Sequence, residues 1–199
     1  MSNCENKKEI VDDRNQGAAA AVLGSYVASA LMIAGAIHGE SRADDPTGFF
    51  SALQADVFLV LLYFGVGQIC MILFAKMYQR ACGVDVLGAI EADYEHEGRT
   101  IGGNAAAGTA LGLNMIAFGV LLLGAGTTDA ADFMTMAKDY AIFAALGLFL
   151  LPLWQIFTDH VMLSNADLKK EIYEDRNLNA ALIEGACVIG LAMVLYLVF

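Results

Sequence analysis

Five long runs of apolar residues alternate with polar segments along the chain. The runs occupy residues 17–37, 57–75, 101–128, 140–158 and 178–199, contain 19 to 28 residues each, and include only one charged residue, Glu184. About 20 helical residues, at about 1.5 Å each, cross a hydrocarbon core of about 30 Å. Inside lipid, backbone hydrogen bonds are satisfied only in helices or closed barrels, and barrel strands are shorter and alternate in polarity. The pattern therefore predicts an all-α integral membrane protein with five transmembrane helices in a single domain, residues 1–199.

Lys and Arg residues are concentrated in alternate polar segments. Nine of the eleven lie in the N-terminal segment and in the second and fourth loops: Lys7, Lys8, Arg14, Lys76, Arg80, Arg99, Lys169, Lys170 and Arg176. The first and third loops contain only Arg42 and Lys138. Because positively charged loops stay in the cytoplasm, this distribution predicts a cytoplasmic N-terminus and a C-terminus on the outside.

Composition supports lipid as the surrounding medium and excludes some partners. Hydrophobic residues make up 58% of the chain, the mean hydropathy is +0.58, and 17% of residues are charged, against about 25% in soluble domains. The net charge of −11 argues against nucleic acid, which is bound through clustered Lys and Arg. The four cysteines lack metal-ligand spacing and are expected to be free thiols. We expect a lipid bilayer as partner, no cofactor and no metal.

Two segments share the pattern E-I-x-x-D-R-N-x-x-A-A, and each precedes an apolar run rich in small residues. They begin at Glu9 and Glu171, and a degenerate middle copy runs from Glu95 through Arg99 to Asn104. We interpret the chain as repeated helical hairpins in parallel orientation. The predicted units are residues 9–84 and 91–165, with a half unit at 171–199. Small residues let helices approach closely in lipid, and the fifth helix lacks a hairpin partner, so we predict a homo-oligomer.

The repeated D-R-N-x-x-A-A segment, followed by a Gly-rich apolar helix, resembles the YjfL-like family of uncharacterised bacterial inner-membrane proteins, also described as domain of unknown function three-fifty. The resemblance implies two such hairpins in a four-helix protein, a location in the bacterial inner membrane and a loose association with envelope stress. It implies no activity and no catalytic residues. This chain differs in having an additional helix and a weakened middle motif.

Glu184 is the most distinctive candidate for a function. It lies six residues beyond Leu178, about 9 Å into its span at helical rise, where an ionisable group is costly and must face protein or water. One hypothesis is a proton or cation path formed by Glu184 with Gln68, Gln155 and Asn114. The alternative is that these groups form structural hydrogen bonds between helices, which the sequence alone favours.

The repeated segments also suggest a cluster of arginines. Arg14, Arg99 and Arg176 would form a ring at the cytoplasmic mouth that attracts anions or docks a partner protein. The simpler alternative is that Asp or Asn caps the following helix while Arg lies at the headgroup boundary.

Two functions remain open from the sequence. The first is a small multi-pass inner-membrane protein with a proton or cation channel or transport role. The second is a non-catalytic scaffold or accessory subunit that docks a membrane or cytoplasmic partner, with a role in envelope stress. We do not expect an enzyme, because a membrane enzyme needs a convergent acid/base or metal cluster and the sequence presents none.

Overall fold

The structure is a computed structural model that describes residues 8–38, 49–96, 99–127, 133–159 and 167–199. Its helices are α1 Gln16–His38, α2 Phe49–Cys82, α3 Val86–Glu91, α4 Ala105–Gly126, α5 Phe133–Phe157 and α6 Leu178–Val198. Single π-helical turns at Lys8–Asp12 and Lys170–Glu174 precede α1 and α6. Five helices, all except the short α3, are long and apolar enough to cross a membrane. The prediction of a five-helix membrane protein is confirmed.

The helices extend beyond the apolar runs in two places. Helix α2 has 34 residues, about 51 Å at helical rise, and includes Lys76 and Arg80 near its C-terminal end. Helix α5 begins at Phe133 and passes Lys138 before the apolar run starts. The helices therefore continue past the predicted spans at these ends, because an apolar run marks the part of a helix in lipid and not the point where its backbone hydrogen bonds stop.

Two short strands in the second loop were not predicted. Strand β1, Tyr94–His96, pairs antiparallel with strand β2, Arg99–Ile101. Their sequences show no strand pattern, because three residues are too few to show alternating polarity. A hairpin of this size leaves the all-α class unchanged.

Helix α4 is the centre of the bundle and contacts all four other long helices. In α4, 67% of an apolar stretch of 18 residues is buried inside the bundle, against 22–39% of such a stretch in the other four spans. Its small residues allow this, since Gly108 lies directly against Gly17 of α1 and Gly112 against Gly24. Residue numbers rise together along this contact, so α1 and α4 are parallel.

Helix α6 packs on the opposite side of α4 and runs in the same direction. Gly185 lies against Leu113, and Gly124 near the other end of α4 lies against Tyr196. Small residues on one side of α6, such as Gly185, are therefore covered by α4. Ala186 and Gly190 are exposed, as are bulky residues such as Leu182 and Leu197, consistent with contact with lipid. The fifth helix thus keeps small residues, Ala186 and Gly190, on its exposed side, and the homo-oligomer stays a prediction.

Candidate functional site: a polar layer around Glu184

An asparagine stands immediately before each of the three parallel helices and caps it. The Oδ1 atoms of these residues accept hydrogen bonds from backbone N–H groups three residues later: Asn15 from Ala18 (2.9 Å), Asn104 from Ala107 (3.0 Å) and Asn177 from Ala180 (3.4 Å). Two caps also join neighbouring segments, because Asn15 Nδ2 donates to Ile90 O (2.9 Å) and Asn104 Nδ2 to Ile172 O (2.9 Å). The three helix starts thus meet at one end of the bundle, called the cap end below. The capping interpretation is confirmed for asparagine.

The residue before each cap has a left-handed backbone. Arg14 and Arg176 have φ of 54° and 55°, and Gly103 has φ of 68°. Gly103 is therefore the structural counterpart of the two arginines, and Arg99, which the sequence alignment had placed there, lies four residues earlier in β2. The Arg99 side chain is outside the described residues, so the arginine ring stays a prediction.

The two described arginines have different surroundings. Arg14 is exposed. The Arg176 guanidinium donates to Gly103 O at 3.1 Å and to Ala92 O at 3.3 Å. Arg176 therefore ties α6 to the segment that precedes α4, which is a structural role within the chain.

Glu184 lies inside the bundle and is only 1% exposed. Its Oε1 atom accepts hydrogen bonds from Tyr78 Oη of α2 at 3.2 Å and from Asn114 Nδ2 of α4 at 3.1 Å. Asn114 Nδ2 also donates to Ala110 O at 2.9 Å. Both groups that donate to Glu184 are uncharged. Burying a carboxylate beside uncharged groups is costly, so the site favours a proton or another small cation at this carboxyl.

Three further side chains extend this arrangement toward the cap end. Tyr78 Oη lies 3.1 Å from Tyr173 Oη, which lies 3.3 Å from Cys82 Sγ. Gln155 Nε2 donates to Cys82 Sγ at 3.3 Å. Tyr173 belongs to the π-helical turn before α6, outside the membrane spans, and burial raises the pKa of its phenol well above the ordinary value. Its hydroxyl therefore keeps its proton and is available as a donor.

The polar residues form one layer, and an apolar layer lies one helical turn further from the cap end. Tyr78, Asn114, Gln155 and Glu184 make up the polar layer. Four residues along each helix, in the direction away from the cap end, stand Phe74, Phe118, Leu151 and Val188, all 0% exposed. Phe74 and Phe118 are stacked with ring centroids 4.8 Å apart. In this conformation, Glu184 is separated from the far end of the bundle by packed apolar side chains.

A small cavity adjoins the polar layer on its cap-end side. Its volume is about 20 Å³, and its lining includes Gln155, Asp159, Lys169, Tyr173 and Glu184. This volume exceeds the roughly 10–15 Å³ that one water molecule needs. Gln155 Oε1 is buried and has no hydrogen-bond partner among the described residues. The cavity thus has room for one water molecule beside Gln155 and Glu184.

Of the four residues predicted to share a path, three come together and one does not. Glu184 and Asn114 are in direct contact, and Gln155 joins them through Cys82 and Tyr173. Gln68 instead donates to Ser29 Oγ at 2.9 Å and lines a separate groove of about 390 Å³. Gln68 precedes Tyr78 by ten residues, which is about 15 Å along the helix and about 80° around it. It therefore faces another part of the molecule.

Three members of the site were not predicted from the sequence: Tyr78, Cys82 and Tyr173. None is charged, whereas the predicted site residues are a carboxylate and amides at depth and arginines at the membrane boundary. A signal was present for Tyr173, which stands where the equivalent segment has Val11. A signal for Tyr78 was its spacing of one turn from Cys82, which places both on one face of α2.

Five membrane-spanning helices around a buried polar layer define this chain as an all-α integral membrane protein with an ionisable group inside the bundle. It belongs to the family described as Domain of Unknown Function (DUF350), whose model matches residues 51–199. The resemblance noted from the D-R-N-x-x-A-A segments is confirmed at this level. The match covers four of the five long helices and leaves α1 outside it. No curated protein and no solved structure matches the chain.

Proposed function

We propose that this chain is a bacterial inner-membrane transport protein that exchanges a proton or small cation at Glu184, with its cap end in the cytoplasm. The observation that supports the proposal is the pair of layers. A buried carboxyl adjoins a cavity on one side and is closed off by apolar side chains on the other. Intramembrane carboxyls are costly and commonly mark ion pathways.

Transport across this arrangement needs a second conformation. In the present one, the Phe74–Phe118 stack and its neighbours close the far side of Glu184. A path to the far end opens when the side chains of this apolar layer move apart. The cavity beside Gln155 either closes at that point or stays open. The chain thus resembles one state of a protein that exposes a central site to alternate sides.

The decisive experiment is ion flux into liposomes that contain the purified protein. Replacing Glu184 by Gln keeps the size of the side chain and its acceptor for Tyr78 and Asn114, but it removes the ionisable group. We expect Glu184→Gln to lower flux of protons or monovalent cations by about tenfold or more, because binding at the buried site depends on negative charge. A pH-sensitive dye and a cation-sensitive dye inside the vesicles measure the two fluxes.

Gln68→Met is the matched control. Gln68 is also an amide inside a span, but it lies in the separate groove, so the control tests the effect of removing a membrane polar group that is not in the layer. Equal incorporation and equal helicity of all proteins must be checked. Glu184→Gln protein that transports as well as the wild type would rule out this function.

The scaffold alternative has less support from the geometry. It proposed that Arg14, Arg99 and Arg176 dock a partner in the envelope stress response. Arg176 already donates to two backbone carbonyls of its own chain, and the third equivalent position is Gly103, which has no charge to offer. A partner that copurifies in gentle detergent and is lost on Arg14→Ala would favour this alternative over transport.

A further inference from the structure

The hydroxyl groups of Tyr78 and Tyr173 form a hydrogen-bonded file that ends at Glu184 Oε1. The file begins at the cavity that Tyr173 and Glu184 both line. Tyr78 has one hydroxyl proton and donates it to Glu184 Oε1. Tyr173 Oη, 3.1 Å from Tyr78 Oη, is therefore the donor in that pair. Each hydroxyl donates one hydrogen bond and accepts another, so the two bonds point the same way, from the cavity toward the carboxyl.

We propose that the species exchanged at Glu184 is a proton, and that it moves between Glu184 and the cap end through the hydroxyls of Tyr78 and Tyr173 and a water molecule in the adjoining cavity. This inference rests on the proposed exchange at Glu184 and adds to it the identity of the ion and its route.

The cavity has room for water, and the groups around Glu184 suit a proton better than a dehydrated metal ion. Its volume of about 20 Å³ has room for one water molecule. Lys169 lines it together with Asp159, and Lys169 Nζ donates to Ala81 O at 3.4 Å. At Glu184 itself, Tyr78 and Asn114 present hydrogen-bond donors, whereas a metal ion needs several oxygen ligands. Gln155, whose Oε1 atom has no partner among the described residues, also belongs to the lining.

The transfer balances without an oxidant or reductant. A hydronium ion in the cavity gives a proton to Tyr173 Oη, Tyr173 gives its own proton to Tyr78 Oη, and Tyr78 gives its own to Glu184 Oε1. At each oxygen of the file one O–H bond forms as another breaks, and the cavity is left with neutral water. Burial raises the pKa of Tyr173, so a free tyrosinate is disfavoured and the steps occur together.

The test is the rate at which the Glu184 carboxyl exchanges its proton for deuterium in the purified protein. After transfer to heavy water, the carboxyl C=O stretching band shifts as exchange proceeds, and its loss in Glu184→Gln identifies the band. We expect Tyr173→Phe to slow this exchange by about tenfold or more, because the file then lacks one hydroxyl. Tyr78→Phe should slow it as well and should also shift the band, since Tyr78 donates to Glu184 directly.

Tyr140→Phe is the matched control. Tyr140 is a buried tyrosine of the same bundle whose hydroxyl donates to Tyr63 O at 3.2 Å, away from Glu184. Tyr140→Phe removes the same hydroxyl oxygen as Tyr173→Phe and a similar hydrogen bond. We expect the Glu184 carboxyl to exchange at the wild-type rate in this variant. Tyr173 lies outside the spans, so Tyr173→Phe keeps the test available even if Tyr78→Phe does not fold.

Two outcomes would overturn the inference. Exchange at the wild-type rate in Tyr173→Phe and in folded Tyr78→Phe would exclude the route. A carboxylate band that responds to replacement of Na⁺ by choline, with no carboxyl band at all, would show a metal cation in place of the proton. Because exchange is measured without flux, the two proposals fail separately. A wild-type carboxyl that exchanges through the file in a protein with no liposome flux would exclude transport alone.

Discussion

At the scale of single residues, the left-handed positions before the helix caps show how one backbone requirement is met by different side chains. Gly103 meets it at little cost, because glycine adopts positive φ readily. Arg14 and Arg176 adopt almost the same angle, which costs an L-residue about 1–2 kcal/mol. Arg176 offsets this cost through its hydrogen bonds to Gly103 O and Ala92 O, whereas Arg14 is exposed.

Glycine substitutions at the two arginines should therefore have opposite effects. We expect Arg14→Gly to leave the free energy of unfolding unchanged or to raise it by up to about 1 kcal/mol, since strain is relieved. Arg176→Gly relieves the same strain but loses two hydrogen bonds of about 1 kcal/mol each, so it should lower that free energy by about 1 kcal/mol. Denaturant titration in mixed micelles measures both. Equal effects at the two positions would show that the Arg176 hydrogen bonds contribute nothing.

At the scale of elements, the contact between α1 and α4 depends on the absence of side chains. Gly24 lies so close to Gly112 that an added Cβ atom would overlap its backbone. The close approach lets the two helices make dispersion contacts along their length. Such packing is a main source of helix association in lipid. The parallel course of α1, α4 and α6 follows from these contacts and supports the interpretation as parallel repeats, which stays a prediction.

Alanine substitution at two glycines separates this packing effect from helix propensity. We expect Gly24→Ala to lower the free energy of unfolding by about 1–3 kcal/mol, because backbone must move to admit the methyl group. Gly190 on α6 has nothing within 4 Å of an added Cβ atom, so Gly190→Ala should raise that free energy by about 0.5–1 kcal/mol through helix propensity. The same micelle titration compares them. A stabilising Gly24→Ala would mean that α1 and α4 are further apart than the structure has them.

At the scale of the whole molecule, one end of the bundle differs from the other. The cap end contains the three asparagine caps, the short helix α3 and the π-helical turns at Lys8–Asp12 and Lys170–Glu174, together with most of the positive charge of the sequence. The opposite end contains the C-terminus of α6. An odd number of spans places the two termini on opposite sides of a membrane, and the charge distribution predicts that the cap end is cytoplasmic.

Single cysteines test this orientation. With the four native cysteines replaced, Lys8→Cys and Asp93→Cys at the cap end should react with a membrane-impermeant thiol reagent only in inside-out vesicles, because both residues are exposed there. Phe199→Cys should react only in right-side-out vesicles. Gel shift after labelling provides the measurement. Labelling of Lys8→Cys and Phe199→Cys from the same side would contradict an odd number of spans.

Local features of the sequence were enough to predict the five helices, because lipid cannot replace a backbone hydrogen bond and a long apolar run has no alternative to a helix. The resemblance to the family was visible in the repeated D-R-N-x-x-A-A segment. The middle copy of that segment also included Asn104, which caps α4. These predictions depend on neighbours along the chain and on the solvent, and neither requires knowledge of how the helices pack.

The composition of the polar layer depends instead on how far each helix is shifted and rotated against the others. Glu184 and Asn114 were identified as buried polar residues, but their partner Tyr78 comes from α2 and Tyr173 from a turn outside the membrane. Gln68 was equally plausible from its depth and faces another groove. A rotation of one residue, about 100° on a helix, decides which side chains meet, and the close packing of small residues on α4 sets that rotation.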